Sequence, residues 1–433
     1  MKKFLECCAG IDVGKREVTV TILTGSHDEE PKAETRTFQT TVPALIELRS
    51  WLVEKGCSNA VLESTGSYWQ PVWNVLSDKI AIIVANPEHV KARRGEKTDP
   101  ADSRRLAERL RVGDVRGSFI PSAHIQQLRD LTRRRKRLLG AACSERNRIQ
   151  KMLERSNVKI GSVASDVFGV SGQLILKALL ENPEMTPEQM AELARGRLRA
   201  KLPQLTEALQ QHRMDEHARW MIQHSVAQLL FLEQQLVELE ERIHIMLKPF
   251  QKQYELLQTI PGVAASTAAV IIAETGGDMA QFPSAAHLAS WVGVSPGNNM
   301  SAGKAMPAHI KRGNRWLIPA LVQACWAAVR KRGSIFKKRF YRLQQHRGRK
   351  RALIAAARSL LTVIYNVLSE MCPYSEPTPE ILLQHDKDKK IRHHFRKLRE
   401  LGVDVMQFVP GILASNNKAP RPPRVGALGF HAR

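Results

Sequence analysis

Three features of the sequence predict an α/β N-terminal domain with a mixed sheet, an α-helical coiled-coil middle and a mainly α C-terminal domain. Over the first hundred residues, short apolar runs alternate with amphipathic stretches. Residues 215–247 carry an apolar seam at alternating spacings of three and four. Beyond residue 248, short apolar helical patterns are punctuated by Gly and Pro, as in the turn at Pro261-Gly262.

The N-terminal elements follow in order. Residues 6–24 (ECCAGIDVGKREVTVTILT) read as two strands joined by a tight turn at Gly14-Lys15. Residues 43–55 form an amphipathic helix and 59–62 a short buried strand that ends at Glu63. A helix over 67–78, a buried strand over 79–86 and a helical segment opened by Pro87 complete the plan. Residues 103–155 are helical and basic, broken by a loop at 112–122, and 160–205 read as short helices with breaks at Gly161, Gly169 and Pro183. The seam of 215–247 runs through Ile222, Val226, Leu229, Leu232, Leu236, Leu239, Ile243 and Met246. It suits an intramolecular hairpin with the helix near 124–156 and a dimer contact equally well. Boundaries at 1–112, 113–250, 251–372 and 373–433 divide the chain, the last part being a basic helix and a Pro-rich end.

The charge is unevenly placed. The 433 residues carry a formal net charge of +24. From Met279 to Ser369 there is no Asp or Glu, while that stretch holds 16 Lys and Arg. Such a region faces a polyanion, for which nucleic acid is the default. Aromatic residues are only 6% of the chain, which argues against a base-stacking platform. The six cysteines form no CxxC and no zinc pattern, and several sit in apolar runs and read as small core residues of a reducing compartment. No secretory leader and no apolar run of about 18 residues is evident, so a cytoplasmic protein without a membrane partner is expected.

Against this basic background four carboxylates stand out: Asp12 in AGIDVGK, Glu63 in VLESTG, and Asp99 with Asp102 in KTDPADSRR. The first two close apolar strands, and the last two lie three apart at a helix start. Hard divalent cations need several carboxylate oxygens at one point, and phosphoryl chemistry can use two such ions. Taken singly, each acid is equally an ordinary surface acid or a cap, with Asp99 before Pro100 a natural N-cap. A second constellation is NNMSAGKAMPAHIKRGNRWL, residues 298–317. Ser301 sits there among small residues, with Lys304, Lys311, Arg312 and Arg315 following. A serine attacking a phosphodiester needs exposure and nearby cations; a phosphate-binding loop without chemistry would look the same. Arg133, Arg134, Arg135 and Lys136 form a further basic run suited to a nucleic-acid backbone. The IPGV turn at 260–263 reads either as a phosphate-facing hairpin or as a tight packing turn.

Six motifs in order carry a resemblance: AGIDVGK, VLESTGSYW, NPEHVKARRGEKTDPADSRRLA, TIPGVAASTAAVIIAETG, HLASWVGVSPG, and MSAGK with HIKRGNRWL. In them the chain resembles the DEDD-type insertion-sequence transposases, the family that includes the Piv DNA invertase. The resemblance spans roughly residues 6–370 apart from the middle. It implies a RuvC-like N-terminal domain of the ribonuclease H-like fold and a serine-bearing C-terminal transposase domain. It makes Asp12, Glu63, Asp99 and Asp102 the tetrad that binds Mg²⁺, with two ions possible, and Ser301 the serine of an SGGK-like motif, here SAGK with Ala302 where glycine is common. The implied function is cleavage and rejoining of DNA at element ends and target, with the serine linked covalently to DNA. In some members a structured bridge RNA guides the reaction. Strand exchange needs two duplexes held together, so a homo-oligomer, a tetramer built from dimers, is expected. The competing readings are a RuvC-like metal-dependent nuclease with a structural serine, and a non-catalytic nucleic-acid-binding protein.

Overall fold

The first two strands, β1 (Cys7–Val13) and β2 (Glu17–Thr24), pair antiparallel around a turn in which the Gly14 amide donates to the Glu17 carbonyl at 2.9 Å. The computed structural model describes residues 4–63, 66–85, 98–115, 117–182, 184–297, 300–301, 304–306 and 313–401. It falls into two units, residues 1–120 and 121–433.

In the first unit, β3 (Lys32–Gln39), α1 (Val42–Glu54), β4 (Asn59–Glu63), α2 (Trp69–Leu76), β5 (Ala81–Ala85) and α3 (Asp99–Arg111) follow β2. The strand order is β3-β2-β1-β4-β5, with the first three antiparallel and β4 and β5 parallel to β1. This is the mixed sheet expected, with one more strand. β3 escapes a reading by periodicity because it is an edge strand whose residues, except Phe38, stay largely in solvent. The helical segment expected from Pro87 lies outside the described residues. The sheet is covered on both faces. Ile11, Val20, Ile22 and Leu62 pack with Leu45, Leu48, Leu52 and Leu76 on one side. Cys8, Leu23, Val61 and Ala85 pack with Leu106 and Leu110 of α3 on the other.

Among the described residues, the second unit is helical apart from one pair of two-residue strands. Its spine is α4 (Ala123–Arg155), joined through α5 (Ile160–Val163), α6 (Val170–Glu181), α7 (Pro187–Glu192) and α8 (Leu202–Leu209) to α9 (Glu216–Leu247). Gly161 lies inside α5 instead of breaking it, Gly169 precedes α6 as its N-cap, and Pro183 lies outside the described residues. The pairs Arg135–Glu240 and Arg146–Glu233 run in opposite directions along α4 and α9, so the two helices are antiparallel. The apolar seam is spent within the chain: Leu229 and Leu232 bury with Leu138, Ala142 and Ile149, and Ile243 and Met246 with Ile125 and Leu128. The opposite face of α9 leaves Trp220, Leu230, Phe231, Val237 and Ile245 exposed.

The chain continues through α10 (Gln251–Gln258), α11 (Ala265–Thr275), α12 (Ala285–Val292), the two-residue strands β6 (Met300–Ser301) and β7 (Lys304–Ala305), α13 (Leu317–Arg330), α14 (Ile335–Arg347), α15 (Arg349–Glu370) and α16 (Pro379–Glu400). Contrary to the reading of apolar runs, α15 is long and apolar enough to cross a membrane by composition. Its Ala356, Leu360 and Ile364 instead fill a core with Leu321, Ala324 and Phe336.

Candidate functional site

The carboxylates are positioned by the register of the sheet. β1 and β4 run parallel, with Gly10 beside Val61 and Ile11 beside Leu62. One further step along that register brings Asp12 next to Glu63, both half-buried. Alternation puts Cys8, Gly10 and Asp12 on the same face of β1, the face that α3 covers. There the Cys8 thiol donates to the Ala107 carbonyl at 3.4 Å. Gly10 is required by this packing: a Cβ on it would lie 2.0 Å from the Ser103 carbonyl oxygen and 2.4 Å from the Ala107 nitrogen. Thr21 and Ser103 hydroxyls, 2.7 Å apart, pin the same crossing. Since Ala107 sits beside Cys8 and Ser103 beside Gly10, the first turn of α3 lies toward the Asp12 end of the strand.

That first turn holds Asp99 and Asp102, where acids are favoured by the helix dipole. Thr98 is the N-cap and Asp99 the first helical residue, one position later than the capping reading placed it. Asp99 is exposed. Asp102 is largely covered and ion-paired with Arg105. Asp102 Oδ1 is the oxygen that faces the Arg105 guanidinium, while Arg105 Nε is buried without a hydrogen-bond partner. The donor set suits a hard divalent cation, being all carboxylate oxygen. Among the described residues, no three His, Cys, Asp or Glu side chains stand close enough to share an ion. The acids therefore gather at one end of the sheet and its covering helix without closing on a point.

In the second unit Ser301 is exposed at the end of β6, paired with Lys304 of β7. The small-residue stretch expected to be a loop is thus partly a hairpin. Lys311 and Arg312 lie outside the described residues. Arg315 stacks on Trp316, its guanidinium carbon 5.0 Å from the ring centroid, and Arg133 and Arg137 each approach the same ring at 5.5 Å. Of the basic run on α4, Arg134 and Lys136 are exposed. Arg133 and Arg135 are engaged by carboxylates, Glu274 and Glu240 respectively. Burial holds the Arg129 guanidinium below its ordinary value, with the Glu274 carboxylate opposing the shift.

The IPGV turn serves packing: at Gly262, with φ +85°, a Cβ would lie 2.1 Å from the Ala324 carbonyl oxygen of α13. The start of α11, without a side-chain cap, opens instead on a pocket of about 470 Å³ bordered by Lys136, Ser266, Thr267 and Trp316. Arg137, Trp316 and Glu274 were not singled out as functional from the sequence. Only the proximity of Arg137 to the basic run, and of Trp316 to Arg315, could have pointed to two of them.

Two stretches of the chain match known protein-family models. Residues 9–158 match the DEDD transposase model of the IS110 type, and residues 254–341 match the model described as the transposase IS116/IS110/IS902 family. The chain therefore carries two IS110-family transposase domains, one around the carboxylates and one around Ser301. A protein of Streptomyces coelicolor named as an insertion element IS110 uncharacterized 43.6 kDa protein is 33% identical over 127 residues, 29% of this chain and 31% of that one. This match spans about a third of that relative's length. A probable family 20 transposase of Pseudomonas aeruginosa is 25% identical over 274 residues, 62% of this chain and 70% of that one. The RuvC structure of Thermus thermophilus aligns over 26% of this chain and 99% of its own, at 12% identity and a TM-score of 0.22.

Proposed function

We propose that this chain is a DNA transposase that cleaves and rejoins DNA strands with a Mg²⁺-binding carboxylate site and Ser301 as nucleophile. The observation that carries the reading is the placement of Asp12, Glu63 and the acidic first turn of α3 at one end of the sheet, within a stretch that matches the DEDD transposases. Asp12, Glu63, Asp99 and Asp102 would hold the ion, which when bound supplies positive charge to phosphoryl oxygens and activates an attacking oxygen. Arg105 is ion-paired with Asp102, one of the four acids that would hold the ion.

At the serine, Oγ attacks phosphorus and forms a phosphoserine ester. The DNA's own P–O bond breaks, and the released hydroxyl keeps the proton that Oγ gives up. Attack of a DNA hydroxyl on the ester reverses these bonds and frees the serine. Lys304, Lys311, Arg312 and Arg315 supply charge to the phosphate, and exposed Arg134 and Lys136 extend the contact along the backbone. A structured RNA that pairs with DNA fits a chain rich in cations and poor in aromatics. Holding two duplexes together calls for a homo-oligomer, for which we propose a tetramer built from dimers.

The test is strand cleavage of duplexes from the flanks of the coding sequence, with the RNA that co-purifies. Cleavage should require Mg²⁺, stop with EDTA, and fall by more than about 100-fold in Asp12→Asn. Ser301→Ala should abolish rejoining. Full recombination by Ser301→Ala would leave the serine structural and the protein a metal-dependent nuclease; Asp12→Asn at wild-type rate would remove the metal site.

A further inference from the structure

The acid-free stretch that holds Ser301 begins just after one buried carboxylate. Glu274, on the last turn of α11, is only 1% exposed. Its Oε1 accepts from Arg133 Nε at 2.8 Å, and its Oε2 accepts from Arg133 Nη2 at 2.9 Å and from Asn314 Nδ2 at 2.8 Å. Arg129 donates to the backbone carbonyls of Ala273 and Glu274.

Asn314 uses both ends of its amide. While Nδ2 reaches Glu274, Oδ1 accepts from the Trp316 and Leu317 amides at 2.9 Å each, satisfying the start of α13. Its own backbone amide donates to the Val292 carbonyl at 3.0 Å. Gly313 lies so close to that carbonyl that a Cβ would be 1.9 Å from the oxygen. The chain that leaves α12 at Val292 and passes through Ser301 therefore comes back to Val292 at residues 313–314. Glu274 and Arg133 fasten that return point to α11 and α4.

The geometry points to Glu274 and Asn314 as positioning residues for Ser301: they fix the base of the serine-bearing segment while touching neither DNA nor the serine. This rests on the reading of Ser301 as nucleophile. A buried carboxylate shared by a bidentate arginine and an amide is fully satisfied, and such a network specifies one arrangement.

Asn314→Asp separates positioning from folding. Aspartate caps a helix as well as asparagine, but it cannot donate to Glu274 and faces it with like charge. Asn314→Ser keeps a capping oxygen, loses the link and adds no charge. Both should retain DNA affinity and cooperative thermal unfolding while the rate of Ser301–DNA adduct formation falls about 10- to 100-fold. Wild-type adduct rates in both variants, or a parallel loss of DNA affinity, would each overturn the inference. Absence of any Ser301 adduct in the wild-type protein would instead remove the nucleophile reading on which it rests.

Discussion

Gly10 lies where the sheet and the acidic helix meet backbone to backbone. The missing side chain lets the α3 backbone lie against β1, which sets where Asp99 and Asp102 fall relative to Asp12. Gly10→Val should force α3 outward, at a cost of about 1–3 kcal/mol typical of overpacking, read as a lowered urea midpoint. It should also weaken Mg²⁺-dependent cleavage more than DNA binding. At this scale the acids were legible because strand ends and a helix start are marked by local pattern. Arg133 and Arg135 were not, since a basic run looks the same whether it faces solvent or a buried Glu274. Glu274 itself was silent, because an acid in an apolar helix carries no local signal of its distant partners Arg133 and Asn314.

Among elements, the α4–α9 hairpin settles what spacing left open. A heptad seam does not say which helix answers it, and here α4 does, with Leu229 and Leu232 against Leu138 and Ala142. Leu232→Ala should therefore cost about 2–5 kcal/mol, with a loss of stability that does not depend on protein concentration. A seam that joined two chains would make it concentration-dependent. β3 and the β6–β7 hairpin were missed for a shared reason. An edge strand with one buried residue and strands of two residues bury too little to leave an apolar period.

For the whole molecule, the carboxylates and Ser301 stand in separate units, each within its own transposase-family match. The proposed reaction uses both, the acids to hold Mg²⁺ and Ser301 to form the covalent link. The most direct measurement is peptide mapping by mass spectrometry of protein incubated with DNA, its co-purifying RNA and Mg²⁺. A phosphodiester-linked nucleotide should appear on the peptide containing Ser301 in the wild-type protein and be lost in Asp12→Asn. An adduct that persists undiminished in Asp12→Asn, or one carried by a different residue, would contradict the account.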